Sequence, residues 1–301
     1  MAIVLGPNQY GKAENRLVRI YRDTDRHVIR DLNVSTALRG QFEAAHNPGD
    51  QQDVLPTDTQ KNTVFAFAKE KGIDSPEEFA LALGDHFITQ NPSVEGARVE
   101  IDEYQWDRIL SDGTGHDHSF VRSGSGVRTT IVNIDGAADR RKAHVVSGIK
   151  DLTVAKTTGS EFNGFRKDRY TTLQETTDRI LATSLVARWR YEGTDVDWDK
   201  SYDSIKALLL QQFAQIHSYA LQQSLYGMGE AALEQHPELA EIKFSAPNKH
   251  HFLVDLSPFG EENPGEVFIA ADRPYGLIEA TVLRDDASDA GSAWHGIPGF
   301  V

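Results

Sequence analysis

The stretch RLVRIYRDTDRHVIRDLNVSTALRG, residues 16–40, sets the pattern on which the whole chain is built. Apolar and polar residues alternate on both sides of the polar turn TDR, which is typical of two antiparallel strands. Two helical patterns follow, TDTQKNTVFAFAKEKG and SPEEFALALGDHFI. In the second, Ser75, Pro76 and Glu78 have the spacing of a helix cap, a first turn and a capping-box partner. The sequence therefore predicts a strand pair followed by two helices.

The second half of the chain repeats this order. Residues 97–109 and 118–136 alternate and predict two more strands joined by the loop LSDGTGHD, which makes the first half β-β-α-α-β-β. The same succession recurs between Lys142 and Asp286. We therefore predict an α+β fold of two tandem units, residues 1–138 and 139–286, each an antiparallel sheet with helices on one face. Residues 287–301 have no periodicity and are expected to form a mobile or loosely docked tail.

Composition narrows the possible functions of the 301-residue chain. It contains no cysteine, which excludes disulfides, thiolate nucleophiles and zinc–cysteine sites. A net charge of −14 disfavours nucleic acid as a partner, because phosphates attract basic surfaces. The first residues lack a signal-peptide pattern, and no apolar run approaches the roughly 18 residues of a membrane span. We expect a cytoplasmic protein that binds neither nucleic acid nor membranes.

Each predicted sheet would have open edges. Unpaired edge strands expose rows of backbone N–H and C=O groups, which proteins usually cover or pair. Closing the sheets into a barrel with another copy of the chain would remove these edges. We therefore expect an obligate oligomer.

The segment SAPNKHHFLVDL, residues 245–256, concentrates polar side chains on a predicted strand. Side chains alternate along a strand, so Asn248 and His250 share one face while Lys249 and His251 share the other. The histidine pair therefore cannot chelate one ion without a bulge. Asn248 and His250 could hold a small polar molecule and move protons, or could be structural.

Two predicted helix starts offer free backbone N–H groups. Thr57 and Asp58 begin one helix, where they could act as caps or leave donors for an anion. Leu221 and Gln222 occupy the corresponding first turn in the second half, after Ser218 as the predicted cap. The two halves thus present similar donors.

His116 and His118, in GHDHSF, provide a metal-site alternative. A His-x-His spacing occurs in metal sites, but histidines at a loop end are also often solvated. No glutamate or third histidine lies at a recognisable offset.

Five longer motifs identify a family. YGKAENRL, PTDTQKNT, GSEFNGFRKDRYTTLQETTDRIL, ALQQSLYGM and APNKHHFLVDL occur in the order found in urate oxidases (uricases), and the chain resembles the bacterial members of that family along nearly its whole length. The resemblance implies tunnelling-fold (T-fold) units whose barrels close on dimerisation, with two barrels stacked into a homotetramer. It also implies active sites at subunit interfaces.

The resemblance implies a role for each matching residue. In the substrate clamp, Arg179 and Gln222 grip opposite edges of urate, Phe162 stacks on its ring, and the backbone N–H groups of Asp58 and Leu221 complete the contacts. The catalytic relay consists of Lys12, Thr57 and His250. Asn248, with Thr57, holds oxygen and later water above the ring, and Thr57 and Asp58 come from the neighbouring subunit.

The implied reaction needs no cofactor and uses O2 as co-substrate. Urate, O2 and water would become 5-hydroxyisourate and hydrogen peroxide, a step of urate degradation. Two alternatives remain from the residues alone. One is a metal-dependent T-fold enzyme acting on a purine or pterin through His116 and His118, and the other is a non-catalytic purine-binding oligomer.

Overall fold

The structure, a computed structural model, describes residues 2–297. Among these residues the first half contains six strands and three α-helices, in the order β1 Tyr10–Tyr21, β2 Val28–Gly40, α1 Glu43–His46, α2 Thr57–Glu70, α3 Pro76–Gln90, β3 Val94–Glu103, β4 Trp106–Ser111, β5 Thr114–Arg122 and β6 Val127–Asp135. The second half continues with β7 Lys142–Lys156, β8 Leu181–Tyr191, α4 Trp198–Gln215, α5 Leu221–Gln235, β9 Leu239–Leu253 and β10 Phe268–Leu283. None of these helices is long and apolar enough to cross a membrane.

The two halves share one antiparallel sheet. Its eight strands run in the order β1-β2-β3-β6-β7-β8-β9-β10, and each contacts the next with an antiparallel register. The halves join where β6 pairs with β7, from Asp135 opposite Lys142 to Val127 opposite Lys150. The predicted α+β class and the tandem order of strands and helices are confirmed, and β1 and β10 form the two edges of the sheet.

A hairpin outside the main sheet was missed by the sequence prediction. The stretch predicted as the loop LSDGTGHD contains the ends of β4 and β5 and their turn, and these strands pair only with each other. Asp112 and Gly113 both have positive φ, 52° and 78°, as a two-residue hairpin turn with right-handed strand twist requires. Asp-Gly between alternating residues is the signal that could have predicted it.

The helices cover one face of the sheet, and the main core lies between them. Trp189, Phe244, Leu32 and Ile101 on the strands are fully buried there, as is Phe87 on α3. Each such side chain contributes about 1.5–3 kcal/mol through its removal from water. Ser75 caps α3 as predicted, because its side chain accepts a hydrogen bond from the backbone N–H of Glu78 and Pro76 fills the first turn.

The tail was expected to be mobile or loosely docked, whereas its described part contacts the opposite, helix-free face of the sheet. Ala293 is fully buried against Ile131 and Val146. The Trp294 indole donates a 3.0 Å hydrogen bond to Glu241, and the Ser292 hydroxyl donates one to Asp135. These contacts lie far apart in sequence and follow no helical or strand period, so pattern analysis could not detect them.

A buried ionic network fastens α3 and α4 to the sheet and links the two halves. Arg128 on β6 is 3% exposed and donates to Glu77 on α3 at 2.7 Å and to Asp199 on α4 at 2.6 Å. Asp199 also pairs with Arg30 at 2.7 Å. Burial alone would lower the pKa of Arg128, but the carboxylates of Glu77, Glu103 and Asp199 outweigh it and raise the pKa. The guanidinium therefore stays charged inside the protein.

Replacing Arg128 by Met should lower the free energy of unfolding by about 3–5 kcal/mol, because Glu77 would be left buried without its countercharge. Chemical denaturation at one fixed protein concentration measures the change. Arg26→Met is the matched control, since Arg26 pairs with Asp117 at the surface and its side chain is 52% exposed. A loss no larger than that of the control would show that the network does not hold α3 and α4 in place.

Candidate active site

A cavity of about 940 Å³ opens at the β10 end of the sheet, a size in the range of small-molecule sites. Four of the predicted site residues line it: Phe162, Arg179, Asn248 and His250. The loop between β7 and β8 supplies Thr172, Leu173 and Gln174 to the same wall. Sequence analysis assigned these three no role. Their local sequence carried no signal, because Leu173 is a single apolar residue in a polar loop and isolated exposed leucines are common on protein surfaces.

The segment 159–162 forms the spine of this site because it is hydrogen-bonded on both sides. On one side it pairs with Ser218, through Glu161 N–H to Ser218 O at 2.8 Å and Ser218 N–H to Gly159 O at 2.9 Å. On the other side Phe162 exchanges two backbone bonds with Thr176, and Arg179 N–H donates to Ser160 O at 2.8 Å. The spine thus lies between the segment that carries Arg179 and the turn that precedes α5.

Arg179 carries a guanidinium that is half-buried and incompletely paired. Burial lowers its pKa from the ordinary arginine value, and its Nε is buried without a hydrogen-bond partner among residues 2–297. Its Cζ lies 5.1 Å from the centroid of the Phe162 ring. A planar fork of donors beside an aromatic face suits a flat anion that can accept two parallel hydrogen bonds.

The helix starts at Thr57 and Leu221 differ from those of α3 and α4. Ser75 and Asp197 cap α3 and α4 through their side chains, whereas α2 and α5 follow Pro56 and Ala220, and neither has a side-chain cap. The first-turn N–H groups of α2 and α5 are thus left for another acceptor, and the helix dipole makes that acceptor preferably an anion.

Ser218 is not the cap of α5, which corrects the sequence prediction. The helix begins at Leu221, three residues later, because Ser218 belongs to the spine pairing. Its hydroxyl donates to Ala220 O at 3.2 Å and accepts from the Ser224 hydroxyl at 2.8 Å. The hydroxyl is therefore used to hold the turn before the helix. Leu221 is buried and Gln222 is exposed beside it.

Asn248 and His250 lie on β9 with one face in common, as predicted. The His250 ring stacks on Phe252 at 5.9 Å, which shows the alternation of side chains along the strand. The alternation assigned His251 to the other face of the strand, but His251 also lines the cavity. The pairing of β9 with β8 ends at Thr183 opposite Asn248, so the cavity can reach both faces of the strand beyond that point.

Lys12 and the start of α2 meet at the other edge of the sheet. The pairing of β1 with β2 shifts register between Lys12 and Asn15, at a bulge where Glu14 has a φ of 57°. The hydrogen bond from Lys61 lowers the pKa of Asp58, and the nearby charge of Lys12 lowers it further. Thr57 opens α2 beside Asp58, and the three predicted residues of the first half are thus grouped together.

The two groups of predicted residues lie at opposite edges of the sheet. Lys12 is on β1, while Asn248 and His250 are on β9, six inter-strand steps away at about 4.8 Å each. The cavity beside Asn248 includes none of Lys12, Thr57 and Asp58. One copy of the chain thus brings Phe162, Arg179, Asn248 and His250 to one cavity. Leu221 and Gln222 do not line that cavity, although α5 begins three residues after the spine partner Ser218. The first-half group lies at the other edge of the sheet.

His116 and His118 lie on β5 in the hairpin, with ring centroids 4.5 Å apart, and His27 is 5.8 Å from His118. Within the described range 2–297, no three or more His, Asp or Glu side chains are placed to hold a metal ion. The hairpin histidines therefore remain without an assigned ligand.

Sequence comparison gives this geometry a family. The family model described as Uricase matches residues 8–133 and 145–279. The chain belongs to the uricase family. It is 56% identical to a uricase of Arthrobacter globiformis over 298 residues, which is 99% of this chain and 96% of that protein. It is 37% identical to a uricase of Danio rerio over 281 residues, 91% of this chain and 93% of that one.

Solved structures give the same result. The crystal structure of the Arthrobacter globiformis uricase superposes with a TM-score of 0.92 at 56% identity, over 98% of this chain and 99% of that one. A uricase of Bacillus fastidious shares the fold with a TM-score of 0.80 at 24% identity, over 92% and 93% of the two chains. The comparisons thus confirm that the chain is a member of the uricase family and has its T-fold, as the sequence motifs indicated.

The uncapped start of α5 predicts a conflict between stability and anion binding. Ala220 has the extended φ and ψ of a cap residue, −156° and 149°, so Ala220→Asp should cap the helix and raise the free energy of unfolding by about 0.5–1 kcal/mol. The new carboxylate should also weaken binding of an anionic purine, as measured by anaerobic titration.

Asp197→Ala is the control, because it removes the existing cap of α4. It should lower the free energy of unfolding by about 1 kcal/mol and leave purine binding unchanged. Unaltered purine affinity in Ala220→Asp would show that the donors of α5 do not face the ligand.

Proposed function

We propose that the chain oxidises urate with O2 and water to 5-hydroxyisourate and hydrogen peroxide, as an enzyme of purine degradation. One observation carries the proposal: in a member of the uricase family, the incompletely paired guanidinium of Arg179 lies beside the Phe162 ring at a cavity that Asn248 and His250 also line. Two electrons pass from urate to O2, water adds at the oxidised ring, and hydrogen peroxide leaves. Urate itself supplies the electrons, so the proposal includes no cofactor.

The clamp acts by charge and shape. The Arg179 fork and the Gln222 amide would hold opposite edges of the urate anion, since the spine is hydrogen-bonded to the backbone of Arg179 on one side and to Ser218, just before α5, on the other. Phe162 would stack on the ring, an aromatic contact of about 0.5–1.5 kcal/mol beyond burial. The N–H groups of Leu221 and Asp58 would add donors from two uncapped helix starts.

Lys12, Thr57 and His250 would move the protons. An ammonium beside a hydroxyl lowers the cost of removing the hydroxyl proton, and an imidazole exchanges protons near neutral pH. Asn248 is 9% exposed and would, with Thr57, hold O2 and then water above the ring. Preorganised donors of this kind typically contribute a factor of about 10² or more to turnover.

Self-association would complete the site. The half-sites lie at opposite sheet edges, and both edges carry exposed apolar side chains: Val18 and Ile20 on β1, and Ile269, Leu277 and Leu283 on β10. Pairing the β1 edge of one copy with the β10 edge of another would close a barrel, bury these residues and bring Thr57 to Asn248 across the interface. We propose a homotetramer of two stacked barrels, located in the cytoplasm.

The activity is tested by following urate's ultraviolet absorbance together with oxygen consumption and peroxide formation. In Arg179→Lys the planar fork is lost, so KM for urate should rise at least about 10-fold, while Arg169→Lys, a change in the exposed part of the same loop, should leave KM unchanged. A chelator should leave the rate of the native protein unaffected. A native protein that does not consume urate, or an unchanged KM in Arg179→Lys, would contradict the proposal.

Mixing two impaired variants tests the shared site. Lys12→Met removes the relay from the first half, and Arg179→Gln removes the clamp from the second, so each variant alone should be nearly inactive. After unfolding and refolding a one-to-one mixture, about a quarter of the sites should combine intact halves from two subunits and regain activity. A refolded mixture of Lys12→Met with Thr57→Val, both in the first half, should regain none. Equal recovery in the two mixtures, or none in either, would refute the shared site.

A further inference from the structure

A tight turn in the loop between β7 and β8 brings a second phenylalanine onto Phe162. The turn residue Gly164 has a φ of 67°, a left-handed conformation that glycine adopts without cost. A methyl group at Gly164 would meet no atom within 4 Å, so the backbone conformation alone demands glycine there. Through this turn the chain reverses and Phe165 returns over the ring of Phe162.

The two rings are stacked. Their centroids are 4.9 Å apart and their planes differ by 15°. Phe162 lines the cavity and Phe165 does not, so Phe165 lies behind Phe162 rather than within the site. A ring packed on the back of another loses the freedom to rotate about its side-chain bonds, which keeps its front face in one orientation.

The outer part of the loop also contacts Phe165. The Lys167 ammonium is 5.5 Å from the centroid of the Phe165 ring and pairs with Glu175 at 3.1 Å. Glu175 immediately precedes Thr176, which is hydrogen-bonded to Phe162 through the backbone. Phe165 thus contacts both the Phe162 ring and the Lys167 ammonium, and it is half-buried between these neighbours and solvent.

We propose that Phe165 is a positioning residue that sets the plane of Phe162 for stacking on the purine ring. It would touch neither substrate nor oxygen and would act through the orientation of Phe162 alone. The inference rests on the proposed function, since it assigns Phe162 the role of stacking on urate. Because Phe162 is already oriented, it loses less conformational entropy when urate binds. Phe165 should therefore affect the affinity for urate rather than proton transfer.

Phe165→Leu tests the proposal because leucine keeps apolar bulk but has no flat face. KM for urate and the anaerobic dissociation constant of urate should both rise about 3–10-fold, with kcat changed less than about 2-fold. Phe165→Tyr should restore both values. Tyr170→Leu is the matched control, because Tyr170 is an aromatic residue of the same loop that contacts Arg169 and is 72% exposed. It should leave KM unchanged.

A crystal structure of Phe165→Leu supplies a readout that does not depend on urate. The Phe162 ring should leave the plane that it has in the native protein, and a ring that keeps its orientation would overturn the proposal, as would an unchanged KM. A native protein that neither binds nor oxidises urate would instead overturn the proposed function, and the position of Phe162 in the variant would still decide whether Phe165 holds it.

Discussion

The pairing of β6 with β7 is the contact on which the rest of the structure depends. It turns two separate four-stranded sheets into one sheet of eight, with a helical layer on one face and the tail on the other. It also separates the two groups of predicted site residues, because each group lies near the strand of its half that is farthest from the junction. Lys12 is on β1, while Asn248 and His250 are next to β10. The fold therefore leaves the predicted site residues at two edges of one sheet, and we propose that a second copy of the chain brings them together.

Most of the fold could be predicted from the sequence because its long elements have strong periods. Residues 16–40 and their counterparts alternate cleanly, and the capping signals at Ser75 and Pro76 mark the start of α3 where the structure has it. The β4–β5 hairpin was missed because a long loop explained the same residues, although the Asp112–Gly113 pair was a specific turn signal. The prediction of Ser218 as a cap was wrong for a different reason. Ser218 has the local sequence of a helix cap, but in the structure it pairs with Ser160 instead.

Only part of the candidate site could be predicted from sequence patterns. Asn248 and His250 could be placed on one strand face from alternation. His251 reaches the cavity because the pairing of β9 with β8 stops at Thr183 opposite Asn248, and the extent of strand pairing cannot be predicted from alternation alone. Lys12 and Gln222 have nothing in their local sequence that distinguishes them from surface residues. Their predicted roles came from the resemblance to the uricase family. The structure adds a physical feature that suits one of the predicted roles, the incompletely paired guanidinium of Arg179.

The docked tail has a consequence for the order of folding. Its contacts reach strands from both halves: Asn133 on β6 donates to Ala293 O, Arg190 on β8 donates to Ser288 O, and Trp294 donates to Glu241 on β9. This binding surface does not exist until β6, β7, β8 and β9 are aligned, and the tail is made after all of them. Docking is therefore a late event that requires contacts of long sequence separation, which form slowly. During synthesis, the centre of the helix-free face therefore stays exposed to solvent or chaperones until residues 288–294 have been made, and these residues can dock only after all four strands are aligned.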